Sequence, residues 1–203
     1  MIKKNDSIQK WIELKSRINI VNEQKISLLT TRKINKIKTQ TYVNFPQEYI
    51  NFLRVFGEGA MEVAEEARLP GEIRFYMLSI KWSEQNIIWF KDALVRMNGI
   101  YKGRFDTETK SNLDLLNNSF MFGDSTRSEI FLWDLRTYKS EDDSYDIHKI
   151  YLNSFSSDCV GRNFYEFVNN FCFSSDYLQL SLQGREFNFN NIYPMFTCTN
   201  YKF

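Results

Sequence analysis

The chain has 203 residues, 43% hydrophobic and 16% aromatic, with a formal net charge of +1 at neutral pH. That supply of apolar side chains suits a globular protein with one large core and excludes a disordered chain, while no run approaches the roughly eighteen apolar residues of a membrane-spanning helix. The charge is unevenly spread: residues 1–40 carry ten Lys/Arg against three Asp/Glu, and residues 41–203 carry sixteen against twenty-two.

The first segment, "MIKKNDSIQKWIELK", is basic but lacks the apolar stretch and small-residue cleavage site of a secretory signal, so a cytoplasmic location is expected. It also carries Ile8, Trp11, Ile12, Ile18, Ile20 and Val21. A helix with that much apolar surface docks on its own domain more often than it reaches out as a nucleic-acid arm. Residues 30–41, "TTRKINKIKTQT", show a weak apolar alternation that reads as linker or edge strand.

A helix is expected next, in "NFPQEYINFLRVFGEG" (44–59). Asn44 is a candidate cap, Gln47 follows as in a capping box, and Pro46 suits a first turn whose N–H groups have no helical partner. Tyr49, Phe52, Leu53 and Phe56 form one apolar stripe, Gln47, Glu48, Asn51 and Arg54 the wet side, and Gly57 a left-handed stop. The following "AMEVAEEARLPG" is acidic and helix-prone. "EIRFYMLSI" (72–80) reads as a strand, and Ser83 can cap a helix with Ile87, Phe90 and Leu94 on one face. "IYKGRFDTETKSNLDLLNN" has no sustained period and reads mostly as a surface loop.

Three β-type runs follow, 119–123, 129–135 and 148–153, which suggests an antiparallel meander. In "EIFLWDL", alternation puts Ile130, Leu132 and Asp134 on one face and Phe131, Trp133 and Leu135 on the other, leaving Trp133 either core or exposed anchor. A last helix, "GRNFYEFVNNFC", aligns Phe164, Phe167, Val168 and Phe171, with Asn163 or Ser157 as its start.

Catalytic signatures are missing from the sequence. His148 is the one histidine, in an alternating run that makes it a half-exposed strand position. No phosphate-binding, dinucleotide, zincin or hydrolase-elbow motif occurs. Cys159, Cys172 and Cys198 have no paired spacing and read as reduced thiols. Carboxylates gather between Asp124 and Asp146, where a pair could serve a glycosidase or Mg²⁺ but more often forms a solvated face. No metal or cofactor is expected.

The order "FPQEYINFLRVFGEG", "FGDSTRSEIFLWDL", "IHKIYLN", "FYEFV" resembles the SUKH superfamily, which includes fungal cell-wall (glucan) synthesis regulators and bacterial immunity proteins. The resemblance spans roughly residues 42–172 and rests on Pro46, Tyr49, Phe52, Leu53, Phe56, Gly57 and Gly59, then Gly123, Asp124, Phe131, Leu132 and Asp134, with Asn163, Phe164 and Phe167 a looser match. It implies an α+β fold, a twisted and mainly antiparallel sheet flanked by helices. The domain would cover 41–172, with a docked helical extension at 1–40 and a C-terminal extension at 173–203 packed on it. It implies a non-enzymatic protein that neutralises a cognate polymorphic or contact-dependent toxin, with a nuclease as one candidate. The alternative is a regulatory or scaffold module of the same fold. The partner is then a protein, not a membrane or a nucleic acid. Glu58, Asp124, Glu129, Trp133, Asp134, Asp142 and Asp143 become the candidate contacts, with Glu58 beside the strand ends that carry Asp124 and Trp133.

Overall fold

The structure is a computed structural model, and it describes residues 4–23, 30–41, 43–57, 59–65, 76–78, 92, 107–125, 129–151, 156–172 and 192–198. Its elements in chain order are α1 (Lys4–Ser16), β1 (Asn19–Val21), α2 (Thr31–Thr41), α3 (Gln47–Val55), β2 (Gly59–Glu65), β3 (Tyr76–Leu78), α4 (Thr107–Asn117), β4 (Ser119–Ser125), β5 (Glu129–Lys139), β6 (Ser144–Tyr151), β7 (Ser157–Gly161), α5 (Phe164–Glu166) continuing as a π-helix (Phe167–Cys172), and β8 (Ile192–Cys198). The strands form one eight-stranded sheet in the order β1-β8-β2-β3-β4-β5-β6-β7. Every pairing is antiparallel except that of β1 with β8. The fold is α+β; β4 to β6 form the expected antiparallel meander, and β7, which was not expected, extends it.

One face of the sheet carries the main core. Strand alternation sends Phe120 and Phe122 of β4, Phe131 and Trp133 of β5, and Tyr145 and Ile147 of β6 to this side, where α1, α3 and the α5/π-helix segment meet them. The opposite face is covered by α4, whose Leu115 and Leu116 pack with Met121, Ile130, Leu132 and Ile150.

Helix α3 ends as its sequence requires: Gly57 takes φ +76° and donates its N–H to the Leu53 carbonyl at 3.1 Å. Its start differs from the capping-box expectation. Pro46 occupies the cap position and offers no side-chain bond, while Asn44 is engaged elsewhere. The wet side of α3 also needs correction, because α1 lies on it. Glu48 accepts from Trp11 Nε1 at 2.8 Å and from Ser7 Oγ at 2.9 Å, and pairs with Lys10 at 2.8 Å. Asn51 is buried and bridges Gln47 and Ser7. The ring of Trp11, 0% exposed, packs against Phe52, Phe56, Phe164 and Tyr165 at centroid distances of 4.8 to 6.3 Å. The expected docking of the N-terminal helix is thus observed.

Four local readings change. Residues 31–41 form helix α2, not linker or strand, with Ile34 turned into the main core. Residues 107–117, read as loop, form α4. The acidic 59–65 stretch is strand β2, held between β3 and β8. Residues 192–198 are not an appendage packed on a finished domain. They form β8, an interior strand hydrogen-bonded to β1 and β2. Of the expected strand over 72–80, Tyr76–Leu78 is described as β3. The helix expected after Ser83 lies outside the described residues, apart from Asp92, which is helical and exposed. The last helix starts at Asn163, whose side chain accepts from the Glu166 N–H at 3.1 Å, and loosens into a π-helix after one turn; Ser157 belongs to β7.

Candidate functional site

The candidate contacts occupy three different environments. Trp133 is 1% exposed, stacked on Phe122 at 4.7 Å and set edge-on to Tyr49 at 4.9 Å. It is a core residue, so the exposed-anchor reading is withdrawn. Glu129 is 1% exposed and accepts from Ser125 Oγ at 2.6 Å; its burial within the sheet, between β4 and β6, removes it from the surface as well. Glu58 lies outside the described residues.

Asp124 and Trp133 are not brought together. Trp133 is level with Phe120, whereas Asp124 is level with Ile130, four residues further along β4 or about 13 Å at strand rise. Trp133 points to the main core, and Asp124 shares the α4 side with its register partner Ile130. Burial pushes the Asp124 carboxyl above its ordinary range.

Asp134 sits on the α4 side as part of an ionic row. It is 5% exposed and accepts three bonds from Arg136: from Nη2 at 2.7 Å, Nε at 2.8 Å and the backbone N–H at 3.0 Å. Burial works to raise its pKa, but the hydrogen bonds and charge of Arg136 prevail and hold it below the usual carboxylate range. Arg136 also pairs with Asp114 of α4. Across the β5–β6 pair, Asp146 faces Asp134 and is matched by Arg162 at 3.1 Å. Arg162 also reaches Ser144 Oγ and the Thr137 carbonyl, tying β7's exit to the hairpin. Asp134 is therefore a neutralised structural acid, unsuited to a free contact.

The only histidine belongs to this row. His148 is half-buried, level with Leu132 on one side and Cys159 on the other. Burial depresses its pKa below the ordinary value, against the pull of Asp134 and Asp146. Cys159 is exposed and lies beside the β6–β7 bulge, but its thiol points to the Gly161 carbonyl at 3.8 Å, and Asp158 flanks it. A neutral imidazole among carboxylates does not supply the electropositive setting that makes a thiol a strong nucleophile.

The β5–β6 turn gathers the remaining acids. Asp143 takes φ +51°, which turns its carboxylate back toward the body. One oxygen accepts from the Gln47 backbone N–H at 2.7 Å, and the other from Tyr138 OH at 2.8 Å. Tyr138 accepts from Asn44 Nδ2 at 2.6 Å, and Asn44 accepts from Lys38 Nζ at 2.6 Å. A carboxylate at a helix N-terminus satisfies an orphan donor and the local dipole, so Asp143 is the cap that Asn44 was expected to be. Sequence reading missed it because the partners are 96 positions apart. Asp142, exposed, accepts from Ser144 Oγ at 2.6 Å, and Glu141 is exposed beside it. Neither carboxylate has a paired cation among the described residues. The hairpin thus presents two exposed carboxylates, neither paired with a cation among the described residues, on a turn whose third acid anchors it.

Among the described residues, no three of His, Cys, Asp and Glu converge as ligands for a metal. No helix among them is long and apolar enough to cross a membrane. In comparisons with family models, curated proteins and solved structures, the chain matches none.

Proposed function

We propose that this chain is a non-enzymatic protein-binding domain of the SUKH immunity type, acting in the cytoplasm to neutralise a toxin with a basic surface, such as a nuclease. The observation that carries the reading is the anchored acidic turn. Glu141 and Asp142 project from a hairpin fixed at Tyr138 and Asp143, so little conformational freedom is lost when a cationic partner engages them. The proline-led aromatic helix with its Gly57 stop, followed directly by strand β2, agrees with the motif order behind the resemblance.

The test is co-expression with a toxin encoded beside the chain, read as restored growth and as a complex that co-elutes. In stopped-flow binding, Glu141→Lys with Asp142→Lys should slow association by about tenfold at low salt and flatten its salt dependence, as loss of steering charges does. Rescue with an unchanged association rate would move the interface away from this turn. Failure to bind any neighbouring toxin, with capture of a cell-wall synthesis enzyme instead, would favour the scaffold alternative.

A further inference from the structure

The basic N-terminal region divides into two parts with different uses. Two cations of α1 are spent internally: Lys10 pairs with Glu48 at 2.8 Å and Lys15 with Glu23 at 3.1 Å. Helix α2 is different. Its eleven residues, "TRKINKIKTQT", hold Arg32, Lys33, Lys36 and Lys38 and no acid. Arg32 is exposed and has no acidic partner among the described residues, and Asn35 and Thr39 are exposed with it. Positions 32, 35, 36 and 39 fall at i, i+3, i+4 and i+7, one face of a helix about 16 Å long.

From this we infer that the outward face of α2 binds the phosphate backbone of nucleic acid. An anionic bilayer fits poorly, because an interfacial helix must insert an apolar face and α2 has already buried Ile34 in the main core. Arg32, Asn35 and Thr39 are exposed on the side away from Ile34, and position 36 falls on that same face by helical spacing; Arg, Asn, Lys and Thr are residue types that donate to phosphate oxygens. Within α2, Lys38 is linked toward the acidic turn through Asn44 and Tyr138. Arg32 lies six residues earlier, about 9 Å up the helix, so the line of donors runs away from those carboxylates. The inference goes beyond the toxin-binding reading and stands or falls without it.

The experiment is fluorescence anisotropy of a short fluorescein-labelled DNA duplex with the full chain across a salt series. Wild type should bind at low salt and weaken as salt rises. Arg32→Glu with Lys36→Glu should reduce affinity at least tenfold and remove roughly 2 from the slope of log K against log salt, at about 0.9 per cation lost. The control, Arg54→Glu with Lys139→Glu, changes net charge equally at two other exposed positions and should leave most of the binding intact. Arg32→Gln with Lys36→Gln serves if charge reversal unsettles the helix, and should give a smaller fall in the same direction. Absence of binding by the wild type, equal loss in the control, or competition by polyglutamate as effective as by unlabelled duplex would each overturn the inference.

Discussion

The two faces of the sheet are stabilised by different physics. Over the main face, Trp11, Tyr49, Phe52, Phe56, Phe122, Phe164 and Phe167 interlock as buried rings contributed by α1, α3, the strands and the α5/π-helix segment. Over the other, a small aliphatic cluster beneath α4 gives way to the row Asp114–Arg136–Asp134 and Asp146–Arg162, with His148 between. Stability of the first side follows buried area and shape, while that of the second also depends on pH and salt. A single sheet can therefore report two kinds of perturbation separately.

The largest effect should come from breaking the aromatic side. Trp11→Ala, Phe52→Ala or Phe167→Ala should each cost about 3–5 kcal/mol in urea unfolding, since each leaves a cavity among fixed rings. Trp11→Ala should also release α1, seen as faster amide exchange across residues 4–16. A wild-type midpoint in any of the three would remove that ring from the core.

Leu116→Ala, on the α4 side, should cost less, about 2 kcal/mol, because the cluster beneath α4 is small and can close around the loss. An equal or greater cost than Phe52→Ala would erase the contrast between the faces.

Asp143→Ala should cost about 1 kcal/mol by removing the remote cap of α3 and by placing Ala at φ +51°. Asp143→Gly, which loses the cap but tolerates the backbone, should cost less. If the two variants melt together, the left-handed turn carries no penalty of its own.

The smallest effect is the pH dependence of the ionic row. His148 has a folded-state pKa below its ordinary value, so the unfolded chain takes up the proton first and stability falls as pH drops through the ordinary histidine range. Asp134 contributes stability above the ordinary carboxylate pKa, and that contribution disappears as pH falls through its depressed folded value. His148→Gln should flatten the stability curve between pH 7 and 5 and leave the acid limb in place. An unchanged slope would mean that His148 titrates alike in both states.

What the sequence made legible was local. The stripe of α3, its Gly57 stop, the Asn163 cap and the short runs of the meander all announce themselves within a dozen residues. Helix α4 escaped notice because Asn112, Leu115 and Leu116 are its only buried positions described, too few to fix a period. Alternation alone did not place Trp133, since both faces of β5 are apolar and both are covered. The candidate contacts fared worst. Asp134 and Asp143 are engaged by partners that only the fold brings near, and their acidity read as surface when part of it was structural.

The position of β8 constrains the order in which this sheet is completed. The meander pairs strands adjacent in the chain, so its contacts close small loops, whereas β2 must wait for a strand more than a hundred residues later to occupy its other edge. During synthesis the β4–β7 portion can assemble while the edge of β2 toward β8 still lacks its pairing strand. Nascent chains arrested before Ile192 should show protease protection over residues 119–161 and cleavage near residues 59–65, with protection of the latter appearing after Cys198 emerges.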